Sequence, residues 1–421
     1  MTTPTGQADF EKAAAIAEIR RRKRKSLHNR LRLWARRLRN RVLRVLYWLP
    51  GTWAERRGWR FPVITNPHRI GHLVIEPDCY VRWGILGDVE SGRPILLLPP
   101  GRVANRAFVE VLRQRFTVIE NAFLRALLSP FTLDPRLSTD LLAVVDPEQM
   151  ELNFHAVLSR WGDRGSPWTL PSKFEADGRA VLEEMGLPKD AWFVCIHSRE
   201  GGYSPADEYL HAHRNSDIAS YSEAIRRIAK RGGWCIRVGD STMKPMPELP
   251  QAIDYVHSRW KSDWMDVFLG TRCRFFVGNT SGLCYISSIF DVPSVLANMV
   301  PLSVCFGAHP DDISIPKLHR KRGEILGFDQ IFQSDLSELR LTEQLYSAGV
   351  DVIDNTPEEI ADAVEEMMDR FDGIERDPSD APRQAAFRKF MPRNQLTAGS
   401  DAKIAAAFLA KYQHLLPPPD A

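Results

Sequence analysis

Small, polar and basic residues follow three buried-looking apolar segments in the second half of this 421-residue chain. They are His197, Ser198 and Arg199 after 193–196, Gly239 and Asp240 after 234–238, and Asn279, Thr280, Ser281 and Gly282 after 274–277. The last group leads into a predicted helix and offers flexible backbone, hydroxyls and amide N–H groups at a helix N-terminus, which favours a phosphate. Arg199 can bridge two phosphate oxygens, and Arg237 and Lys261 are further candidates. The sequence therefore predicts a site for a phosphorylated ligand.

Each of these features also has a structural interpretation. The turn at 279–282 fits an ordinary helix N-cap, Arg237 alternates with apolar residues and fits a pair with a helix carboxylate, and His197 fits a hydrogen-bonded core histidine. It is the coincidence of three strand ends that favours the phosphate site, because ligands bind beyond the carboxyl ends of parallel strands.

The elements that must position these residues alternate between strand and helix. The pattern predicts strands at 193–196, 234–238, 274–277 and 294–296, and helices at 218–230, 262–270 and 284–290. Such alternation indicates a parallel sheet covered on both faces. The first half is predicted to alternate in the same way, with strands at 70–75, 94–98 and 116–119 and a helix at 106–114. Helices at 357–371 and 403–409 close the chain.

The predicted organisation has four parts. A polar, proline-containing stretch around 161–188 marks the boundary between two α/β domains. We expect an N-terminal arm at 1–60, domains at 61–185 and 186–345, and a helical segment at 346–421.

The N-terminal arm is strongly basic and amphipathic. Thirteen basic residues fall in an acid-free stretch, namely Arg20, Arg21, Arg22, Lys23, Arg24, Lys25, Arg30, Arg32, Arg36, Arg37, Arg39, Arg41 and Arg44. Because the whole chain carries a formal charge of only +3, the remainder is acidic overall. Apolar residues recur at helical spacing, namely Leu27, Leu31, Trp34, Leu38, Val42 and Val45. This pattern is typical of a helix in an anionic membrane interface. The alternative is a basic helix whose apolar stripe packs on the protein itself, and nucleic-acid binding is not favoured.

Other features place the chain at the inner face of a cytoplasmic membrane. No run of about 18 apolar residues is long enough to span a bilayer, and no secretory signal is evident. The six cysteines are dispersed without C-x-x-C pairs, and several lie inside apolar runs, which indicates reduced, buried thiols.

The residues around the predicted anion site resemble a known family. The resemblance lies in His197-Ser-Arg-Glu200, Arg214, Asp217-Ile218, Tyr221, Gly232–Asp240, Asp254–Ser258, Lys261–Asp266 and Phe275–Gly282, and it also counts Arg69-Ile-Gly-His-Leu73 and Glu76-Pro-Asp78. These motifs resemble bacterial glycosyltransferases associated with surface polysaccharide loci, over 70–332 and most densely over 197–316. More distantly, the His-x-Arg step is similar to the diphosphate-binding motif of fucosyltransferase-type GT-B enzymes. Those enzymes usually carry a second arginine where this chain has Glu200, so the resemblance does not identify the nucleotide.

The resemblance implies a GT-B fold, in which two Rossmann-like domains with parallel sheets face a central cleft. The C-terminal domain of such enzymes binds a nucleotide sugar, and the acceptor, a glycan or a lipid-linked sugar, enters between the domains. It further implies no metal and no cofactor, and the chain has no Asp-x-Asp, the metal-binding motif of the competing GT-A fold. The leaving diphosphate is then stabilised by Arg199 and the turn at 279–282.

An inverting transfer also needs a base to take the proton of the acceptor hydroxyl. His72, Glu76 and Asp78 lie at the end of the predicted strand at 70–75 and are the candidates. The alternative for Glu76-Pro-Asp78 is structural, because these residue types are also common in turns. Two other functions remain open: a sugar-nucleotide 2-epimerase of the same fold, and a non-catalytic protein that binds polyanions or membranes through its arm. Sequence signatures of P-loop hydrolysis, zinc proteolysis and α/β-hydrolase action are absent.

Overall fold

The computed structural model of this chain describes residues 27–87, 89, 92–142, 154–203, 205–374, 380–393, 395 and 397–417. Within these residues the chain forms two α/β units, each built on a parallel sheet. The predicted α/β class with two parallel sheets is confirmed. The basic residues at 20–25 of the predicted arm lie outside the described residues.

The N-terminal unit is a four-stranded sheet in the order β3-β2-β1-β4. Its strands are β1 Trp59–Val63, β2 Arg93–Leu97, β3 Thr117–Ile119 and β4 Ser138–Asp140. All three strand pairs are parallel. Its helices are α1 Leu27–Leu46, α2 Trp48–Arg56, α3 Ile70–Leu86, α4 Phe108–Leu112, α5 Ala122–Leu128 and α6 Phe154–Trp161. The order reverses direction between β1 and β4, which makes the loop after β1 a topological switch point.

The C-terminal unit is a seven-stranded parallel sheet in the order β14-β10-β9-β8-β5-β6-β7. Its strands are β5 Phe193–Ile196, β6 Trp234–Arg237, β7 Ala252–Ile253, β8 Phe276–Gly278, β9 Ser294–Met299, β10 Ile313–Pro316 and β14 Lys403–Ile404. A small antiparallel sheet joins β11 Leu318–Lys321, β12 Glu324–Ile325 and β13 Val350–Ile353. Read from β5, the order of the larger sheet is that of a Rossmann fold, with the switch point between β5 and β8.

Helices cover the larger sheet. They are α7 Ser172–Glu184, α8 Pro205–His211, α9 Ser222–Lys230, α10 Asp263–Arg272, α11 Cys284–Ile289, α12 Phe328–Phe332, α13 Thr342–Ser347, α14 Pro357–Phe371, α15 Asp380–Arg388 and α16 Ala406–Lys411. Short 3-10 helices lie at Ser129–Leu133, Ala212–Arg214, Ile218–Tyr221, Tyr255–His257, Leu302–Val304, Asp335–Glu338 and Gln413–Leu415. The central strands of this sheet are buried on both faces, as β5 illustrates with four consecutive buried residues, whereas the edge strands β7 and β14 are only partly buried. This double coverage explains why they are apolar runs rather than alternating sequences.

Two sequence predictions are wrong. Residues 70–75 are not a strand but the beginning of α3, which runs for 17 residues. Every residue from Leu73 to Trp83 is buried, so the sequence lacks the amphipathic period of a surface helix, and Pro77 inside the helix imitates a boundary. The predicted helix at 403–409 begins as β14 and continues as α16. Because β14 pairs with β10, part of the segment 346–421 belongs to the larger sheet.

The amphipathic helix predicted in the arm is present as α1, which is followed closely by α2. In the described part of the chain, no helix combines the length and the apolar character that a membrane span requires.

Candidate functional site

The three strand ends predicted to carry chemistry meet at one edge of the larger sheet. Strand β5 lies between β6 and β8, so the residues that follow all three strands are neighbours. His197, which follows β5, contacts the segments that follow both neighbouring strands. Its Nδ1 lies 3.1 Å from the Val238 carbonyl oxygen and its Nε2 lies 3.0 Å from Ser281 Oγ. The site therefore lies at the switch point of the sheet, where ligands bind in folds of this kind.

His197 positions the site rather than facing a ligand. Its side chain is buried, and burial first, then the charges of Arg237 and Arg199, lower the pKa of His197 to about 4. The ring is therefore neutral at pH 7, donating from Nδ1 to Val238 and accepting at Nε2 from the Ser281 hydroxyl. Gly239 lies against the same ring, since a Cβ there would lie 3.2 Å from His197 Nδ1 and clash with Met243.

Asn279 is a second positioning residue. It is buried, its Oδ1 accepts from the Arg199 backbone N–H at 3.0 Å, and its Nδ2 donates to the Arg214 carbonyl at 3.0 Å. Thr280 Oγ1 accepts from the Val300 N–H at 3.1 Å. These side chains fix the loops that carry Arg199 and Arg214.

Arg214 contacts this turn, and the charges of Arg199 and Arg69 lie near Arg214. Arg214 donates from Nε and Nη2 to the Thr280 carbonyl oxygen, at 3.1 and 2.6 Å. Burial, with the nearby charges of Arg199 and Arg69, lowers the pKa of Arg214 to about 10. Arg199 bonds to the His211 carbonyl and the Asn215 side chain and lies 3.6 Å from Glu208. Like charges held together in a partly buried site cost free energy, which an anionic ligand offsets.

Two predicted donor-binding residues are engaged in structural contacts. Arg237 is fully buried and donates to Glu200 at 2.9 Å and to the Lys244 carbonyl, so it pairs with protein carboxylate and backbone instead of an anion. Glu200, which replaces the second arginine of the fucosyltransferase motif, is thus the partner of Arg237. Lys261 pairs with Asp266. Asp240 forms a turn of its own, accepting from the Thr242 N–H at 2.9 Å.

The N-terminal unit closes over this edge through its own switch-point loop. The backbones of Gly71 and Gly282 touch, because a Cβ on Gly282 would lie 2.7 Å from Gly71 Cα. Tyr203 donates its hydroxyl to the His68 carbonyl at 3.2 Å. A third contact joins Asn105 to the Asp263 carbonyl at 2.8 Å. The carboxyl ends of the two parallel sheets therefore meet at these contacts, with Arg69 on one side and Arg199 and Arg214 on the other. The region between them is here called the cleft.

Comparison with known proteins gives similarity in structure only. No protein-family model matches the chain, and a search of curated proteins finds no match. A family 9 glycosyl transferase from Veillonella parvula matches with 11% identity and a TM-score of 0.35, over 57% of this chain and 80% of that one. The E. coli ADP-heptose LPS heptosyltransferase II matches with 14% identity and a TM-score of 0.35, over 56% and 84%. E. coli heptosyltransferase WaaC with ADP-2-deoxy-2-fluoro heptose matches with 11% identity and a TM-score of 0.31, over 56% of this chain and 87% of that one. Similarity at this level identifies neither the substrate nor the reaction of this chain.

His72 and Glu76 form a pair beside the cleft. They lie one turn apart at the start of α3, and His72 Nδ1 is 2.5 Å from Glu76 Oε1. The His72 side chain is 28% exposed, whereas that of Glu76 is fully buried. Burial raises the pKa of Glu76, and the hydrogen bond from His72 opposes that shift. A carboxylate behind an imidazole fixes its tautomer and leaves Nε2 able to accept a proton. The predicted location after a strand is wrong, but the pair has the geometry of a general base.

Asp78 does not face the cleft. Its carboxylate accepts from Arg82 Nε at 2.9 and 3.0 Å and from Trp168 Nε1 at 2.7 Å, and it is fully buried. Burial raises the pKa of Asp78, and the charge of Arg82 opposes the shift. Arg82 in turn donates to the Ile289 carbonyl at 3.3 Å. Asp78 therefore anchors α3 between the two units and is unavailable as a base.

The sequence analysis did not assign Arg69 and Arg214 to the site. Arg69 precedes the segment that was predicted as a strand, and Arg214 lies in the long connection between β5 and α9. A usable signal was present for both, because both belong to the motifs that carry the family resemblance. Among the residues described by the structure, no cluster of His, Cys, Asp or Glu could hold a metal ion.

The contact between Gly71 and Gly282 leads to a prediction. Gly282→Ala would place a Cβ 2.6 Å from the Gly71 nitrogen, and both neighbours are backbone, so the two units must shift apart. We expect a loss of about 1–3 kcal/mol in the free energy of unfolding, typical of overpacking, together with weaker ligand binding in the cleft. Chemical denaturation measures the first effect. Gly399→Ala is the control, because nothing lies within 4 Å of its Cβ. Equal stability of the two variants would contradict this contact.

Proposed function

We propose that this chain is a glycosyltransferase that moves a sugar from a nucleoside-diphosphate sugar to a glycan or a lipid-linked acceptor, without a metal. The observation that carries the proposal is the contact of Arg214 with the turn at 279–282, with the charges of Arg69 and Arg199 near Arg214. This cluster lies where the carboxyl ends of two parallel sheets meet. A diphosphate needs concentrated positive charge, which these arginines supply.

The proposed reaction is a displacement at the anomeric carbon. The acceptor hydroxyl attacks that carbon, the bond to the diphosphate oxygen breaks, and the nucleoside diphosphate leaves with the electron pair. Negative charge grows on the leaving oxygen as positive charge grows on the sugar. Arg199 and Arg214 stabilise that oxygen electrostatically, and their positions are fixed before reaction by Asn279 and the Thr280 carbonyl.

We assign the proton of the acceptor hydroxyl to His72. Its Nε2 takes the proton while Glu76 accepts the Nδ1–H hydrogen bond and stabilises the imidazolium that forms. His72 follows Gly71, whose backbone touches Gly282 in the turn at 279–282, here called the donor turn. In this proposal the base and the leaving group therefore lie on opposite sides of the cleft. This arrangement supports an inverting transfer.

A thermal-shift screen against GDP, UDP, ADP, dTDP and CMP tests the donor site directly. A nucleotide at about 100 times its Kd stabilises the native state by about 2.7 kcal/mol. We expect at least one diphosphate to raise the melting temperature, and Arg199→Ala to abolish the rise because the charged hydrogen bonds are lost.

Three outcomes of this screen and of a following transfer assay distinguish the candidate functions. A shift that persists in Arg199→Ala excludes this donor site. A shift followed by sugar transfer from the matching nucleotide sugar supports the proposal. Interconversion of the nucleotide sugar without transfer would identify the 2-epimerase instead.

A further inference from the structure

The largest concentration of exposed apolar side chains in the described residues lies on helices of the N-terminal unit. Helices α1 and α2 expose Trp34, Leu38, Val42, Val45, Leu46, Trp48, Leu49 and Trp53. Helix α5 adds Phe123, Leu124 and Leu127. Their side chains are between 42 and 76% exposed. An exposed apolar surface of this extent indicates an interaction site.

The two groups form one surface, here called the α1–α5 surface. Tyr47, between α1 and α2, donates its hydroxyl to the Leu127 carbonyl at 3.3 Å. The Tyr47 ring packs edge-on against Phe131, just beyond α5, with ring centroids 5.3 Å apart. The inward residues of the arm are thus Leu43 and Tyr47, while the stripe defined by Trp34, Leu38 and Val42 points outward. Trp34, Leu38 and Val42 therefore do not pack on the protein's own body.

The charge of this surface is one-sided. No acidic residue occurs between Leu27 and Ala54. The arginines exposed along α1 are Arg32, Arg36, Arg37, Arg39, Arg41 and Arg44. An acidic protein surface would complement these arginines but would leave the apolar side chains in water. The boundary between anionic headgroups and acyl chains satisfies both, and tryptophan is enriched at that boundary.

We propose that the α1–α5 surface docks on an anionic lipid bilayer, with α1 lying in the plane of the interface. The new element is α5, whose Phe123, Leu124 and Leu127 insert beside the arm and give the protein a defined orientation. One end of α5 adjoins the cleft: Glu120, just before the helix, pairs with Arg113 at 2.8 Å and lies 3.9 Å from Arg106. The Arg106 N–H donates to Asp263 of the C-terminal unit at 2.7 Å.

This orientation has a consequence for the acceptor. A bilayer-bound amphiphile would present its headgroup near the rim of the cleft, while a water-soluble donor would enter from the other side. The docking surface itself does not depend on the proposed transfer reaction, because vesicle binding is measured without donor or acceptor.

The test is co-sedimentation of the full chain with vesicles. We use phosphatidylcholine alone and phosphatidylcholine with about one third phosphatidylglycerol, and repeat the second at raised salt. We expect binding to the anionic vesicles that weakens with salt and is much weaker on the neutral ones. In the double variant Phe123→Asp and Leu127→Asp, the partition coefficient should fall by about tenfold or more, because two inserted side chains become charged.

The matched control carries the same two charges elsewhere, as Ile85→Asp and Ile374→Asp, at positions that are 52 and 50% exposed. It should bind like the wild type. Equal binding of the two double variants would overturn the role of α5, and absence of vesicle binding by the wild type would overturn the docking surface. If the surface instead joins two copies of the chain, light scattering will show a dimer that the Phe123 and Leu127 changes dissociate. Retained nucleotide-induced stabilisation in both double variants keeps a failure here separate from a failure of the donor site.

Discussion

Replacing Arg214 with glutamine is expected to weaken nucleoside-diphosphate binding by about 100-fold or more. Arg214 acts twice at the site. Its two hydrogen bonds to the Thr280 carbonyl fix the donor turn, and its charge lies close to those of Arg199 and Arg69. Hydrogen bonds to a charged group contribute about 1.5–3 kcal/mol each, so losing the charge and the turn geometry together exceeds the effect of one contact. Isothermal titration with the diphosphate found in the nucleotide screen measures the loss.

The control is Arg226→Gln, the same change at an arginine 56% exposed on α9, whose partner is Glu223 at 3.4 Å. This surface pair contributes little, and nucleotide affinity should not change. Arg214→Lys separates the two roles, since lysine keeps the charge but cannot make the paired hydrogen bonds. Wild-type affinity in a folded Arg214→Gln variant would remove the arginine cluster from the donor site.

The sequence was sufficient to predict where this site lies because strand order and loop chemistry depend on local patterns. Strands β5, β6 and β8 are continuous apolar runs followed by Gly, Asn, Ser or Arg, and parallel strands place those ends at one edge. The role of each side chain was less predictable. His197 and Asn279 sit at the predicted place, yet their hydrogen bonds go to protein groups. Whether a polar residue faces a ligand or a neighbouring loop depends on tertiary contacts that no local pattern encodes.

The error at α3 has a different origin. A helix buried on all sides has no polar face, and an apolar run of six residues fits a strand equally well. Helix α3 is buried by both units: Leu73 and Tyr80 share a core with Phe108 of the N-terminal unit and with Ile286 of the C-terminal unit. Arg82 also reaches the Ile289 carbonyl, and Trp168 reaches Asp78. These two hydrogen bonds join residues 207 and 90 positions apart in the chain, so the burial of α3 depends on contacts that are distant in the sequence. The same docking brings Gly71 to Gly282 and so sets the position of His72.

His72→Asn is expected to lower kcat by about 10²–10⁴-fold, the range for loss of a general base, while leaving donor affinity unchanged. Asparagine cannot take the acceptor proton, but it leaves the arginine cluster intact. A general base acts only in its unprotonated form, so any part of the pH dependence of the rate that arises from such a base should be absent in the variant. Steady-state rates across a pH series, with the donor and acceptor identified by the nucleotide screen and transfer assays, measure both effects.

Glu76→Gln distinguishes a positioning role from a structural one. The amide can still accept the Nδ1–H hydrogen bond at the observed 2.5 Å, but it cannot stabilise the imidazolium, so kcat should fall less than in His72→Asn and the pH profile should shift.

Asp78→Asn is the matched control on the same helix. It disturbs the buried pair with Arg82 and should lower stability, yet folded protein should keep the wild-type pH profile because Asp78 faces Trp168 instead of the cleft. An unaltered pH profile in His72→Asn would place the base elsewhere. If Glu76→Gln keeps full activity and an unaltered pH profile, the negative charge of Glu76 does not contribute to catalysis. The carboxylate would then have only a structural role.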